Sequence, residues 1–366
     1  MSALALATGS INLGQGFPDI DGPAEIAEAA VEAIRGGINQ YPPGPGQPVL
    51  RQAVAAHQER FYGLRWDPDT EVLVTTGATE AIAAAMLALV EPGDEVVALE
   101  PYYDSYAASI AFAGGVRVPV TLHAPDFALD VDALRAAVTP RTKLLLVNSP
   151  HNPTGAVLTY EELRAVAALA LERDLLVVTD EVYEHLVYDG LRHVPLVSLP
   201  GMRERTVSIS SAGKTFSFTG WKIGWVTGSE PLVTAVRAAK QFLTFTSGAP
   251  FQPAVALGLG LGDDYYEGLR SGLQDKRDRL CDGLAKVGFD VHRPRGTYFV
   301  TTDVRPLGYD DGLRFCRELP QRCGVVAIPH AVFYDDPAPG RPLVRWAFCK
   351  RDEVLDAALE RLQALS

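Results

Sequence analysis

Short apolar runs alternate with stretches of helical spacing along the first two thirds of the chain. The apolar runs are rich in β-branched residues, which is typical of buried strands. Between them, apolar residues recur at the spacing of helices that face a core. The predicted strands are 72–76, 95–100, 116–120, 143–147, 175–179 and a run from Thr206, and the predicted helices are 23–34, an Ala-rich helix after Thr79, 131–138, 160–171 and 231–243. This alternation predicts an α/β fold with a doubly wound, mainly parallel sheet.

The pattern changes after residue 262. A long helical stretch runs to residue 287, and it is followed by short apolar runs at 296–301 and 324–328 and by helical spacing over 352–365. This mixture predicts a smaller α+β domain. The predicted organisation is therefore an N-terminal segment (1–20), a large domain (21–262) and a small C-terminal domain (263–366).

Length, charge and cysteine content narrow the functional classes. The chain has 366 residues, of which 47% are hydrophobic, enough for a large core. Its 33 basic and 45 acidic side chains give a net charge of −12, which argues against binding to nucleic acid or anionic lipid. The four cysteines lack CxxC or His-paired spacing, so we expect free thiols in a reducing compartment, by default the cytoplasm, and no metal site. No apolar run reaches the roughly 18 residues of a membrane helix.

The stretch 208–225, SISSAGKTFSFTGWKIGW, carries the strongest candidate chemistry. A buried strand runs into a glycine-flanked turn with Lys214, and the small residues around this lysine let a bulky group approach the backbone. Lys222 follows between two glycines and offers a second cation. An amine beside a fixed cation suits an aldehyde cofactor that carries a phosphate. The alternative is that both are ordinary surface lysines in a glycine-rich loop.

The order Ser211-x-x-Lys214-x₅-Gly220-x-Lys222-x-Gly224 resembles the lysine segment of pyridoxal phosphate enzymes of fold type I. GKTFSFTGWKIGW is most similar to aminotransferases of the kynurenine, glutamine-phenylpyruvate, methionine and N-succinyldiaminopimelate group. The resemblance implies pyridoxal 5′-phosphate as cofactor, a Schiff base on Lys214, and phosphate contacts from Ser211 and Lys222. Most relatives in the wider superfamily have arginine where this chain and the named group have Lys222, a point charge in place of a bidentate fork.

Two further segments are candidates for holding the cofactor. Ala78 and Thr79 follow a predicted strand and open a helix, where free backbone N–H groups and the Thr79 hydroxyl can face an anion. Thr79 as a helix cap is an alternative that is compatible with this phosphate cup. The resemblance implies that Tyr103, in PYYDSY, stacks on the cofactor ring.

Asp180 stands at the carboxyl end of an apolar strand, the edge at which α/β sheets bind ligands. Paired with the pyridine nitrogen of the cofactor, it would keep that nitrogen protonated and make the ring an electron sink. An N-cap aspartate is the alternative. The resemblance implies that Tyr183 bonds the ring oxygen, and that Asn152, in HNPTG, donates to the same oxygen and contacts the substrate carboxylate. For Asn152, an ordinary Asn-Pro turn is the alternative.

Arg345 and Gly16 are the candidates for binding the amino acid. Arg345 interrupts an apolar strand, where an unpaired charge is costly, and it matches the family's arginine that holds the substrate α-carboxylate bidentately. A structural salt bridge is the alternative. Gly16, in LGQGFPD, matches the glycine of a substrate-side loop that brings backbone close to the amino acid, with a tight turn at positive φ as the alternative.

Two segments are implied to cross to a partner subunit. In the family, Tyr41 reaches the cofactor phosphate of the partner, and the loop 244–252, here with Phe245 and Thr246, shapes the partner's side-chain pocket. For Tyr41, an exposed turn tyrosine is the alternative. The loop has no arginine, so a dicarboxylic donor of the aspartate type is disfavoured. Relatives also carry a longer arm before LGQGFPD, which packs on the partner.

Residues and resemblance together predict a homodimeric aminotransferase with a ping-pong mechanism. A donor carboxylate docks on Arg345, its amine displaces Lys214 from the Schiff base, and the freed lysine moves the α-proton; a 2-oxo acid, expected to be 2-oxoglutarate, then accepts the amino group. The donor stays open among kynurenine, glutamine, methionine, aromatic amino acids and N-succinyl-LL-diaminopimelate, although INQYPPGPG and GAPFQPAVAL look closest to the last branch. The alternative functions are a cysteine-S-conjugate β-lyase and a non-catalytic ligand-sensing domain.

Overall fold

A computed structural model describes residues 1–365 of the chain. Its strands are β1 (Ile11–Asn12), β2 (Val72–Thr76), β3 (Glu95–Glu100), β4 (Val116–Thr121), β5 (Thr142–Asn148), β6 (Leu176–Asp180), β7 (Thr206–Ser211), β8 (Ile223–Thr227), β9 (Asp290–His292), β10 (Phe299–Asp303), β11 (Val325–Val326), β12 (Ile328–Pro329) and β13 (Leu343–Ala347). Its α-helices are α1 (Ser2–Thr8), α2 (Ala24–Arg35), α3 (Pro48–Tyr62), α4 (Gly77–Leu89), α5 (Asp104–Phe112), α6 (Val131–Ala137), α7 (Tyr160–Glu172), α8 (Ala212–Thr215), α9 (Glu230–Lys240), α10 (Phe251–Leu259), α11 (Asp263–Val287), α12 (Gly312–Cys323) and α13 (Asp352–Leu362).

Seven strands form the large sheet, in the order β2-β8-β7-β6-β5-β3-β4. The strands from β7 to β4 are parallel to one another, whereas β8 is antiparallel to both β7 and β2. The predicted doubly wound, mainly parallel α/β sheet is therefore confirmed. The strand order reverses between β3 and β5, because β4 lies on one side of β3 and β5 on the other.

Both faces of the large sheet are buried. Leu144 and Leu146 of β5 pack into a cluster with helices α4, α5 and α9, while Leu145 and Val147 pack into another cluster with α6 and α7. Successive residues of a strand point to opposite faces, so a strand covered on both sides needs apolar residues at every position. This requirement explains why these strands are visible in the sequence as continuous apolar runs.

The small sheet has the order β12-β13-β10-β9 and is antiparallel. The predicted strand 296–301 begins later, at Phe299, because Thr297 has a φ of 63° and interrupts the extended backbone. The predicted strand 324–328 is divided: β11 pairs with β1 and β12 pairs with β13. One apolar run thus contributes strands to two different sheets. Hydrophobicity alone does not show where such a run is divided.

Several elements differ from the sequence pattern. Helix α9 ends at Lys240 rather than at residue 243, and the predicted loop 244–252 ends in helix α10, which starts at Phe251. The last helix ends at Leu362 and continues as a 3₁₀ turn. The pattern misses α3 because this helix buries polar side chains on its core face, among them His57. The predicted domain boundary at residue 263 stays a prediction.

The described helices include none that is both long and apolar enough to cross a membrane. The four cysteines are free thiols, as expected from their spacing. Cys281, Cys316 and Cys349 are buried in the core of the small sheet, and Cys323 is half-buried against it.

Candidate active site

One cavity of about 590 Å³ opens at the carboxyl ends of the parallel strands. It lies where the strand order reverses between β3 and β5, the position at which open α/β sheets bind ligands. Residues of β10, β12 and β13 from the small sheet supply the opposite wall. The predicted site residues that line this cavity are Gly16, Ala78, Thr79, Tyr103, Asn152, Asp180, Tyr183, Ser211, Lys214, Lys222 and Arg345.

Three predicted residues do not line the cavity. Tyr41 is 83% exposed, and its ring meets the ring of Phe245 edge-on at a centroid distance of 5.7 Å. Phe245 is itself exposed, and Thr246 is buried in the loop beside it. All three lie outside the cavity of their own chain, and two of them, Tyr41 and Phe245, are on the surface.

Lys214 lies in the short helix α8, directly after β7. Its Nζ donates a hydrogen bond to the Tyr298 hydroxyl at 2.9 Å and lies about equally far from the ring centres of Tyr183 and Tyr298, at 5.6 and 5.5 Å. Burial lowers the pKa of Lys214 to about 8, although the nearby Cys349 and Asp180 oppose this shift. The alternative of a solvated surface lysine is therefore wrong for Lys214.

The lowered pKa of Lys214 leads to a prediction for the apoprotein. Only the unprotonated amine attacks an aldehyde, so recombination with pyridoxal 5′-phosphate should accelerate with pH and level off above about pH 8, where Lys214 is largely unprotonated. Stopped-flow absorbance of the new lysine–pyridoxal bond measures this rate, with N-acetyl-lysine as the solvated reference amine. A rate that still rises tenfold per pH unit beyond pH 9 would contradict the prediction.

Asp180 ends β6 and is buried at the cavity. The Tyr106 hydroxyl donates to its Oδ2 at 2.6 Å, and the backbone N–H of Val182 donates to its Oδ1 at 3.3 Å. Burial raises the pKa of the Asp180 carboxyl, and the Tyr106 hydrogen bond partly offsets that shift. A turn, not a helix, follows Asp180 in the described chain, so the N-cap alternative is wrong.

Backbone N–H groups at the start of α4 and the amine of Lys222 lie close together in the cavity. Helix α4 begins at Gly77, and Ala78 and Thr79 lie in its first turn. A Cβ on Gly77 would lie 3.2 Å from Nζ of Lys222, so the lysine amine reaches the start of the helix. Ser211 ends β7 on the same cavity wall. The residue that caps α4 is Thr76, so the reading of Thr79 as the cap is wrong.

Arg345 is buried and has no acidic partner among the described residues. Its Nη1 donates to Asn152 Oδ1 at 2.9 Å and its Nη2 to the Gly14 carbonyl at 3.0 Å, while Nε has no hydrogen-bond partner. The guanidinium lies 3.9 Å from the ring centre of Phe299, and burial lowers its pKa to about 10. The salt-bridge alternative is therefore wrong, and the charge is available to an anion in the cavity.

Asn152 and Gly16 flank this guanidinium. Asn152 Oδ1 accepts from Arg345, which leaves its amide NH₂ free to donate into the cavity. A Cβ on Gly16 would lie 2.4 Å from Cζ of Phe299, and the Gly16 backbone does not have positive φ. The glycine is thus required for close approach, and the alternative of a positive-φ turn is wrong.

Two tyrosines at the site were not predicted from the sequence. Tyr298 accepts from Lys214 and donates to the Gly16 carbonyl at 2.6 Å, so it joins the lysine to the substrate-side loop. Tyr106 holds Asp180. Tyr106 could have been found from its spacing, because it lies one helical turn after Tyr103 in PYYDSY; its ring meets that of Tyr103 edge-on at 5.9 Å.

Comparison with known proteins gives full-length matches. The family described as aminotransferase class I and II matches residues 8–362. The chain is 57% identical to the probable N-succinyldiaminopimelate aminotransferase of Mycobacterium tuberculosis, covering 100% of this chain and 95% of that protein. It is 40% identical to methionine aminotransferase of Escherichia coli, covering 100% of this chain and 94% of that protein. The solved structure of N-succinyldiaminopimelate aminotransferase from M. tuberculosis superposes with a TM-score of 0.98 at 58% identity, covering 100% and 96% of the two chains.

Proposed function

Because the chain belongs to the aminotransferase class I and II family, and is therefore a pyridoxal 5′-phosphate-dependent enzyme, we propose that its amino donor is N-succinyl-LL-diaminopimelate and its acceptor 2-oxoglutarate. The single observation that carries the choice of donor is the identity of 57% to the mycobacterial relative, against 40% to the methionine aminotransferase. Because the family is enzymatic, the ligand-sensing alternative is wrong.

The chemistry of the cavity fits pyridoxal 5′-phosphate. A half-buried amine with a lowered pKa, a buried carboxylate and a helix start with an adjacent lysine match the aldehyde, the ring nitrogen and the phosphate of this cofactor. When bound, the cofactor supplies an electron sink for the α-carbon of the amino acid. The residues proposed to hold it are Lys214 by a covalent bond, Asp180 at the ring nitrogen, Tyr103 against the ring, Asn152 and Tyr183 at the ring oxygen, and Ala78, Thr79, Ser211 and Lys222 at the phosphate.

The remaining residues are proposed to bind and orient the donor. Arg345 binds its α-carboxylate through two N–H groups, and Asn152 donates to the same group or to the ring oxygen. Lys214, once released, carries the proton away from the α-carbon as general base. The Tyr298 hydroxyl bonds both the lysine amine and the Gly16 carbonyl, so a shift in the position of one of these groups is transmitted to the other.

The side-chain end of the cavity suits a long donor. Its rim is apolar and includes Phe17, Leu313, Val332 and Phe333, and the cations that line the cavity are Lys214, Lys222 and Arg345. With these cations assigned to cofactor and α-carboxylate, no further cationic side chain of the described residues lines the cavity to hold a short second carboxylate of aspartate type. The methylene stem of N-succinyl-LL-diaminopimelate can pack on the apolar rim while its distal polar groups extend beyond it.

A donor panel tests the proposal. We expect kcat/KM for N-succinyl-LL-diaminopimelate to exceed that for methionine, kynurenine and glutamine by about 10-fold or more, because one to three kcal/mol of side-chain contact is at stake. The assay follows glutamate formed from 2-oxoglutarate. A higher value for methionine or kynurenine would overturn the proposed donor. Pyruvate and ammonia from a cysteine S-conjugate, without 2-oxo acid consumption, would indicate β-lyase activity instead.

We further propose a cytoplasmic homodimer in which each subunit completes the other's site. Tyr41, Phe245 and Thr246 lie outside the cavity of their own chain, and Tyr41 and Phe245 are exposed, as is Phe242, which is 88% exposed. Such a concentration of exposed aromatic side chains suits a contact between subunits. In this arrangement Tyr41 contacts the cofactor phosphate of the partner subunit, and the loop with Phe245 and Thr246 borders the partner's donor pocket.

A further inference from the structure

Lys240 is a buried lysine with an unusual pair of hydrogen-bond partners. It is the last residue of α9 and only 2% exposed. Its Nζ donates to the Gly44 carbonyl at 3.0 Å and to the Phe245 carbonyl at 2.7 Å. Within the described chain it forms no salt bridge, and burial lowers its pKa. A buried ammonium held mainly by backbone carbonyls is costly, so the segments that these two carbonyls belong to should matter for function.

The two carbonyls belong to the two segments that we propose to contact the partner subunit. Gly44 lies three residues after Tyr41, and Phe245 packs its ring against that of Tyr41. Lys240 therefore joins the segment 39–46 to the loop 244–250 on their inner side, while Tyr41 and Phe245 project on the outer side. Neither aromatic residue lines the cavity of its own chain.

The loop after Lys240 has a strained conformation. Phe245 has a φ of 62°, a left-handed value that a bulky residue adopts only when its surroundings enforce it. The enforcing contacts are the Lys240 bond to its carbonyl and a set of hydrogen bonds on either side. These are Thr244 Oγ1 to Glu80 Oε1, Thr76 Oγ1 with Ser247 Oγ at 2.9 Å, and Gln252 Nε2 to the Ser247 carbonyl at 2.7 Å.

We infer that Lys240 is a positioning residue for the active site of the partner subunit, fixing Tyr41 and Phe245 in the geometry that this neighbouring site requires. The inference rests on the proposed homodimer with shared sites. The ammonium of Lys240 bonds the segments 39–46 and 244–250 and can restrain both at once. When that restraint is removed, the strained Phe245 backbone relaxes. Loss of Lys240 should thus impair the site of the other subunit, while the cavity of its own chain keeps all its lining residues.

Mixed dimers separate this role from a merely structural one. Two differently tagged chains are co-expressed, and dimers that carry both tags are isolated with pyridoxal 5′-phosphate bound. In the first mixed dimer, one chain carries Lys214→Ala and the other Lys240→Met. In the second, one chain is wild type and the other carries both substitutions. The reference pairs a wild-type chain with a Lys214→Ala chain, so every dimer has one site with an intact Lys214.

The two mixed dimers have opposite expected outcomes. In the first mixed dimer, the site with Lys214 is completed by the segments 39–46 and 244–250 of the partner chain, which retains Lys240. Its kcat/KM should therefore equal that of the reference dimer. In the second mixed dimer, the site with Lys214 is completed by the same two segments of the Lys240→Met chain. Its kcat/KM should therefore fall by about 10-fold or more. Lys240→Arg, which keeps two donors, should largely restore the second dimer. Lys286→Met, a change of the same type at an exposed lysine, should leave it at the reference value.

Other outcomes would overturn the inference. Equal activities of the two mixed dimers, or a loss confined to the first, would show that Lys240 acts within its own chain or not at all, and so would a monomeric wild-type protein. If the Lys240→Met chain does not fold, Lys240→Gln replaces it in the same dimers, because its shorter amide cannot reach both carbonyls. An inactive reference dimer would instead contradict the proposed function. Failure of the proposed function and failure of the inference about Lys240 can therefore be told apart.

Discussion

Replacing Lys214 with alanine is expected to lower kcat for amino transfer by at least about 10⁴-fold. The substitution removes the amine that we propose both attaches the cofactor covalently and moves the α-proton as a base. Its described surroundings offer no ready replacement: burial raises the pKa of the Tyr298 hydroxyl, which accepts from Nζ, well above its usual value, and raises that of the nearby Cys349 thiol to about 11. Single-turnover kinetics with a saturating donor measure the loss.

The Lys214→Ala protein should still bind pyridoxal 5′-phosphate, because the residues proposed to hold the phosphate and the ring nitrogen are unchanged. The cofactor should then be removable by dialysis, and borohydride should no longer fix it to the chain. A small primary amine added to the buffer should restore part of the proton transfer, since the vacated volume admits it. A rate within 100-fold of wild type would contradict the assignment of Lys214 as the base.

The strands of the large sheet were predictable because their burial on both faces demands apolar residues. β3 spans Glu95–Glu100, as predicted, and the other predicted strands of this sheet agree to within one or two residues. β8 was missed because its sequence, IGWVT, is short and overlaps the end of the lysine stretch 208–225. The small sheet was less predictable, since the division of one apolar run between two sheets depends on where distant strands lie.

The site was predictable to the extent that its residues stand at strand ends. Asp180 and Ser211 end parallel strands, and Asn152 follows another, so the topology alone brings them to one edge of the sheet. Tyr298 could not be found in this way. It reaches Lys214 from 84 residues away in sequence, across the contact between the two sheets, and no local pattern distinguishes it from a core tyrosine.

The same limit applies to Lys240. In the sequence it is one of several basic residues at the end of a helix, where lysine is ordinarily a solvated residue that complements the helix dipole. Its burial depends on two segments, 39–46 and 244–250, that are irregular and far apart in the chain. A buried lysine that bonds carbonyls in both becomes apparent only once the fold is known.

Replacing Arg345 with lysine is expected to lower kcat/KM by about 10²- to 10³-fold while leaving the free energy of unfolding almost unchanged or slightly higher. The loss is expected because a single ammonium cannot reproduce the two parallel N–H bonds that we propose Arg345 makes to the donor carboxylate. The unfolding free energy should not fall, because Arg345 is a buried guanidinium without an acidic partner and with an unsatisfied Nε. Kinetics over a range of donor concentrations and thermal unfolding of the ligand-free protein measure the two effects.

Arg277 offers a matched control, because it is an equally buried arginine with the opposite surroundings. It bonds both oxygens of Asp189, at 2.7 and 2.8 Å, and also contacts Asp278, and none of the three lines the cavity. Arg277→Lys should therefore lower the unfolding temperature while kcat/KM stays within about twofold of wild type. If Arg345→Lys instead destabilised the protein like Arg277→Lys and left kcat/KM unchanged, Arg345 would be a structural residue, and the donor carboxylate would have to bind elsewhere.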